Sequence, residues 1–298
     1  MAADRHIVVI GAGGRLGAAL ARGWREKFHL TTFNHAELDI GDFDQLREKL
    51  RGLQFDWIVN CAAQTNVDRC ETEREEAFRL NGEAAGVLAE IASRKQARLI
   101  HISTDYVFDG AKTTPYSETD AAKPISVYGE SKAEGERCVA SVDPRHWSVR
   151  VSWVFGPERP SFVDALIKRA QSETEVAAIA DKFSTPTYTK DLADALPRLF
   201  DSGDGGLLHF ANSGGCNWQE YAQYALDCCR ENGLALRTDR VKPLRLDEMK
   251  AFVARRPPYT VLSTAKYERL TGQTPRSWQD AVREYVRDFY RPEAAAKA

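Results

Sequence analysis

The sequence predicts an α/β protein, a doubly wound parallel sheet with a smaller C-terminal α/β substrate domain set over its strand ends. Three observations predict it. Short continuous apolar runs alternate with helical patterns through the first half of the 298 residues, as expected of a sheet covered by helices on both faces. The first run leads at once into a glycine-rich turn and a helix. Past Pro160 the alternation loosens into shorter elements. The first domain is therefore placed at 1–155 and the second mainly at 156–298, with a part near 176–200 returning to the first sheet.

Residues 6–10 (HIVVI) make the first strand. Gly11-Ala-Gly-Gly-Arg-Leu-Gly17 follows, and a helical pattern covers 16–28. Glycines let a backbone turn tightly and approach a pyrophosphate, which then sits on the helix N-terminus. Strand, glycine turn and helix in this order mark a Rossmann dinucleotide site, with Gly11, Gly13, Gly14, Arg15, Leu16 and Gly17 at the cofactor. The spacing is Gly11-x-x-Gly14-x-x-Gly17, with Gly13 extra, and not the ordinary G-x-G-x-x-G. The second strand, 30–33, ends in Asn34 and His35, with no acid until Glu37. An NAD-specific site commonly has an Asp or Glu here for the ribose 2′-hydroxyl. Arg15 is placed to meet a 2′-phosphate by bidentate pairing, so the sequence favours NADPH, with NADH the alternative if Arg15 is only a solvated loop residue. Asp39 is placed to accept from the adenine amine, and Ile40 to pack on the ring.

A helix is expected over 43–50 and the third strand over 57–61 (WIVNC). Cys61, Ala62, Ala63 and Gln64 at its end let a cofactor lie close. A long helical pattern over 73–94 carries Asn81, which, if it faces the sheet, would hold a water or a backbone kink near the site. The fourth strand, 99–103, ends in Ser103-Thr104-Asp105-Tyr106-Val107-Phe108-Asp109-Gly110. Ligands of open α/β sheets bind at the carboxyl ends of strands, which places the Thr104 hydroxyl at a substrate oxygen. Residues 112–124 form a polar loop over the site. The helix expected over 126–139 carries Tyr128 and Lys132, four apart and so on one face. An ammonium beside a phenol pulls its pKa down from about 10 and fits it to exchange a proton with a substrate oxygen. Alone, Y-x-x-x-K is an ordinary surface pair, and its setting beside the glycine turn and Thr104 gives it meaning. After the strand 147–151, Trp153 stands at the strand mouth, where it can stack on a base or a sugar face, or simply fill core.

In the second half, helices are expected over 162–171, from Asp191, over 218–231 and over 278–290, and short strands over 176–180 and 207–210. Residues 243–254 read as helix or loop, and the prolines after Arg256 exclude a helix there. Six cysteines at irregular spacings, with no C-x-x-C, fit reduced thiols in a cytoplasmic protein. A net charge of −2 calls for neither nucleic acid nor a membrane surface. We see no signal peptide and no apolar run long enough to span a bilayer. The tail 292–298 is expected to fray.

Together the glycine turn, Ser103-Thr-Asp-Tyr-Val-Phe-Asp-Gly110, Tyr128-x-x-x-Lys132 and Ser152-Trp-Val-Phe-Gly156 resemble extended short-chain dehydrogenases/reductases, and within them the dTDP-4-dehydrorhamnose reductase family. Asn60 to Asp68, Pro186-Thr-Tyr188 with Asp191-Leu-Ala193, and Arg256-Pro257 extend the likeness over nearly the whole chain. The resemblance implies hydride delivery from NAD(P)H to the C4 ketone of dTDP-4-dehydro-L-rhamnose, giving dTDP-L-rhamnose. It implies Tyr128 as proton donor, Lys132 as its tuner and nicotinamide-ribose ligand, and Thr104 as the group orienting the C4 oxygen. It puts Asp105, Val107, Phe108 and Trp153 on the substrate side. Mg²⁺ and a homodimer are implied by the resemblance only, and no metal ligands are assigned. The chain departs from the pattern at Lys182, where Gln is usual, at Pro258-Tyr-Thr260, where Asn-Ser is expected, and in Tyr-Gly-Glu-Ser-Lys132, where Tyr-Gly-Lys-Thr-Lys is expected. Alternatives are a reductase, epimerase or dehydratase on another nucleotide-sugar, or a non-catalytic regulatory subunit that keeps the dinucleotide site.

Overall fold

A computed structural model describes residues 5–291, so the expectations for the tail and for the first four residues lie outside the described residues. The five apolar runs of the first half are strands: β1 (His6–Ile10), β2 (His29–Phe33), β3 (Trp57–Asn60), β4 (Arg98–Thr104) and β5 (Trp147–Val151). With the strand Gly206–His209 they form one six-stranded sheet in the order β2-β1-β3-β4-β5-(Gly206–His209), every neighbour parallel. β1 is flanked by β2 on one side and β3 on the other, so the chain reverses its direction of travel there. That switch opens a crevice at the carboxyl ends of β1 and β3.

Both faces are covered. On one, Ile7 and Val9 pack with the helices Arg15–Trp24 and Thr189–Ala195. On the other, Val8 and Ile10 pack with Phe43–Arg51 and Ala84–Arg94. The unbroken apolar reading of β1 follows from this, because alternate residues enter different cores and all are nearly or fully buried.

The smaller lobe has its own core around Phe155, Ile167, Tyr221 and Trp278. Its strands are short. Val176–Ile179 pairs in parallel with Val241–Leu244, a strand not expected from the sequence, whose last two residues begin the stretch 243–254 read as helix or loop. The chain's return to the main sheet differs in detail from the expected 176–200: the helix Thr189–Ala195 packs back on Arg15–Trp24, but the returning strand is Gly206–His209. The helix Ala265–Thr271 was not anticipated.

The expected helix 73–94 is broken. Val67–Thr72 and Arg74–Phe78 precede a π-helical turn at Arg79–Glu83, and Ala84–Arg94 completes it. Asn81 sits in that turn, fully buried, with its side chain bonded to Gln64 in the stretch after β3, and a single π turn in an α-helix often marks a functional site.

Asp68 and Tyr116 are among the residues that fix the lobes to each other. Asp68 accepts from the Val253 and Ala254 amides at 2.9 and 2.8 Å and from Arg256 at 2.7 Å. Tyr116 bridges to Leu262. Among the described residues no helix is long and apolar enough to cross a membrane.

Candidate active site

A cleft of about 1060 Å³ runs across the strand ends between the lobes. The glycine turn forms its floor. Gly11 has φ +81°, and a Cβ there would stand 2.7 Å from the Ala62 nitrogen, so only glycine serves. A Cβ on Gly17 would strike the Gly11 carbonyl. Gly17 is thus buried beneath the turn and does not line the cleft, which corrects its placing at the cofactor to a supporting one. Gly11, Gly13, Gly14, Arg15 and Leu16 do line it, as do Asn34, Asp39 and Ile40 at the β2 side and Cys61, Ala62, Ala63 and Gln64 at the β3 side. Asn81 holds this last stretch: its Oδ1 accepts from the Gln64 amide at 2.8 Å, and its Nδ2 donates to Gln64 O and to Ser131 Oγ, each at 3.0 Å.

Arg15 does not present its guanidinium to the cleft as expected. Nε, Nη1 and Nη2 donate to the carbonyls of Arg159, Val154 and Pro160. Its charge is spent on pinning the loop after Phe155.

The helix Val127–Val142 starts on Ser126, whose Oγ accepts from the Gly129 amide at 3.2 Å. This cap points Tyr128 and Lys132 into the cleft. A Cβ on Gly129 would collide with the Tyr106 carbonyl, so the helix sits against the end of β4. Tyr128 packs edge-on to Tyr106, ring centroids 5.7 Å apart. Burial raises its phenol pKa above the ordinary value, and the Thr104 hydroxyl pulls the other way. The expected lowering by Lys132 is absent. Lys132 Nζ donates instead to the Ile102 carbonyl at 2.7 Å and lies 3.1 Å from His101 Nε2. Burial brings Lys132 down to about 8. His101 is itself buried and held far below its usual pKa, and its Nδ1 lies 3.2 Å from Asn60 Nδ2. Helical spacing puts the two side chains on one face; the sheet beneath decides where the ammonium goes.

At the end of β4 the chain turns in a 3₁₀ helix, Asp105–Val107. The Thr104 hydroxyl accepts from the Tyr106 amide at 3.2 Å. Thr104, Asp105 and Tyr106 face the cleft, but Val107 and Phe108 do not. Both are fully buried, and Phe108 stacks on Tyr116 at 4.0 Å between centroids. Their assignment to the substrate side is corrected: the tight turn ends the strand and carries them into a small core with Leu262. Asp105 accepts from Ser184 Oγ at 3.0 Å and from the Thr260 hydroxyl. Burial raises its pKa against the pull of Lys182. Lys182 is fully buried, brought down to about 8 by burial, and sits 4.9 Å from the Tyr106 ring centre and 5.9 Å from that of Trp153. Trp153 also lines the cleft. Its φ of +39° is strained for a non-glycine residue, and among the described residues its buried Nε1 has no hydrogen-bond partner.

Sequence reasoning missed Tyr106, Ser152, His35 and Arg159 at the cleft. Tyr106 was within reach, as the neighbour of Thr104 in the same block. Arg159 carries no local signal. Among the described residues no cluster of three or more His, Cys, Asp or Glu side chains could hold a metal ion, so the Mg²⁺ that the resemblance implied has no support in these residues.

Residues 5–291 match the family described as RmlD substrate binding domain. A dTDP-4-dehydrorhamnose reductase of Sinorhizobium fredii is 34% identical over 94% of this chain and 96% of its own. A probable dTDP-4,6-dihydroxy-2-methyloxan-3-one 4-ketoreductase of Streptomyces antibioticus is 35% identical over 95% of each chain. Among solved structures, the dTDP-4-dehydrorhamnose reductase of Bacillus anthracis in complex with NADP superposes with a TM-score of 0.89 at 29% identity, covering 96% of this chain and 99% of that one.

Proposed function

We infer the function from the family and the cleft together: the chain belongs to the RmlD substrate binding domain family, that of the dTDP-4-dehydrorhamnose reductases, and it is an NAD(P)H-dependent oxidoreductase. Its reaction is reduction of the C4 ketone of a dTDP-4-keto-6-deoxyhexose, with dTDP-4-dehydro-L-rhamnose the first candidate and dTDP-L-rhamnose the product. The observation that carries this reading is the convergence of Tyr128 and Thr104 on the one cleft that the glycine turn also lines.

A bound NAD(P)H supplies the hydride. The residues of the chain do the rest. Tyr128 gives its proton to the C4 oxygen as negative charge develops there, and the Thr104 hydroxyl donates to the same oxygen. The raised pKa of Tyr128 keeps the phenol protonated near neutral pH, the form a proton donor needs. Lys132, whose Nζ already donates to the Ile102 carbonyl, lines the same cleft, and in this reading a remaining ammonium hydrogen meets the nicotinamide ribose. Tyr106 and Trp153 line the space for the sugar and the dTDP group it carries.

A second reading stays within the reaction type. Lys182 and Thr260, two departures from the family pattern, both act on Asp105 and the cleft wall. They favour a different dTDP-4-keto sugar, as the Streptomyces relative's name also suggests. The test is to supply NADPH with dTDP-4-dehydrorhamnose and with other dTDP-4-keto sugars, and to follow loss of nicotinamide absorbance. Turnover with dTDP-4-dehydrorhamnose supports the first reading. Turnover only with another dTDP-4-keto sugar selects the second, and turnover with none sinks both.

A further inference from the structure

We propose that Arg159 recognises the 2′-phosphate of NADP(H), and that Arg15 serves it only by holding the loop that carries it. The inference rests on the reductase reading above and adds a cofactor-selecting residue to it.

The glycine turn lies against the end of β2: the Gly11 and Ala12 amides both donate to the Phe33 carbonyl at 2.9 Å. In folds of this kind the adenosine ribose sits at that strand end. Arg159 reaches this point from the second half of the sequence, 146 residues away, and its Nε donates to the Gly13 carbonyl. A Cβ built on Gly13 would lie 3.3 Å from Asn34 Cβ and 3.8 Å from Arg159 Nη2. The guanidinium edge and Asn34 therefore both stand beside Gly13, within reach of one ligand group, and both, with His35, line the cleft.

The charges nearby fit an incoming dianion. Glu37 turns back to accept the Asn34 amide at 2.8 Å and does not line the cleft. Asp39 does line it, but its Oδ1 accepts from the Gly41 amide at 2.9 Å. Arg15 is committed to three carbonyls, at Val154, Arg159 and Pro160. One of these is Arg159's own carbonyl and the others lie before and after it in the chain, so the arginine inside the glycine turn builds the platform and the distant one reaches the ligand. With Nε on Gly13, and no other side-chain partner among the described residues, the two terminal nitrogens of Arg159 remain for the bidentate pairing that suits a phosphate.

The test is calorimetric binding of NADPH and of NADH, without sugar, to the full chain and to its variants. Wild type is expected to bind NADPH more tightly. Arg159→Ala should weaken NADPH binding roughly ten- to a hundredfold, the range of a charge-assisted pair, and change NADH binding less than about threefold. Arg159→Lys should recover only part of the loss, because it lacks the fork. Arg15→Ala should weaken both cofactors together. Equal affinity of wild type for the two, or an equal loss of both in Arg159→Ala, overturns the inference while leaving the reductase reading intact. Failure of wild type to bind either dinucleotide overturns both.

Discussion

His209 ties the stability of the catalytic strand to pH. Its Nδ1 donates to the Tyr116 carbonyl at 3.2 Å, which leaves Nε2 to accept from Arg150 Nη1 at 3.3 Å. Arg150 donates to Glu136 at 2.6 and 2.8 Å, and Ser103 Oγ donates to the same carboxylate at 2.5 Å. Ser103 precedes Thr104, so this buried chain supports the end of β4. A second proton on His209 would face the Arg150 guanidinium without water, and burial with that neighbour holds its pKa at about 3 against an ordinary 6.5. The folded pKa is the lower one. The unfolded chain therefore takes up a proton first as pH falls, and stability is lost below about 6.5. Between about pH 7 and about pH 5 the loss from this residue is about 2 kcal/mol, since each pH unit well inside the window is worth about 1.4 kcal/mol. His209→Asn keeps a donor near Nδ1 and removes the titration. Urea unfolding at both pH values measures the effect: the wild type should lose about 2 kcal/mol more on acidification than the variant. Parallel losses in the two proteins would refute the argument.

Three further outcomes follow from the site and its support. Tyr128→Phe should lower turnover roughly a hundred- to ten-thousandfold, the usual worth of a positioned acid, with NADPH affinity by calorimetry near wild type; turnover within a few-fold of wild type removes the proton-donor role. Gly17→Ala drives a methyl into the Gly11 carbonyl, so it should abolish dinucleotide binding in whatever protein folds; normal NADPH affinity would show that the turn tolerates the shift. Lys182→Met removes the buried ammonium that opposes the rise of Asp105 and its hydrogen bond to the Pro257 carbonyl, and should cost about 1–3 kcal/mol in urea unfolding; a change under about 0.5 kcal/mol would mean that neither contact contributes.

The first half of the fold was legible because its signals are local and long enough. Five apolar runs, each followed by a helical pattern, leave little choice but a parallel sheet. The smaller lobe was harder to read. Val176–Ile179 finds its partner at Val241–Leu244, and two-residue ladders such as Phe183–Ser184 with Cys216–Asn217 have no period to detect. The π turn at Arg79–Glu83 was invisible to a 3.6-residue pattern, although Asn81 itself stood out as a polar residue that would matter if it faced the sheet.

In the site, residue types were easier to read than directions. Thr104 and Tyr128 reach the cleft because each is fixed by its own element, a strand end and a capped helix. Val107 and Phe108 were misplaced because the resemblance was carried along the whole block, whereas the Thr104 hydroxyl accepts from the Tyr106 amide and the chain winds into a 3₁₀ turn there. Arg15 and Lys132 went wrong for a common reason. Each is a long cation whose backbone position was right and whose charge was claimed by a distant carbonyl, Val154 for one and Ile102 for the other. A cation's target lies several bonds from its Cα, so sequence spacing fixes where it starts and tertiary packing fixes where it ends. The same rule makes Arg159 the residue to examine at the adenosine end: a side chain with no local signal is carried to the cofactor by the loop that Arg15 holds.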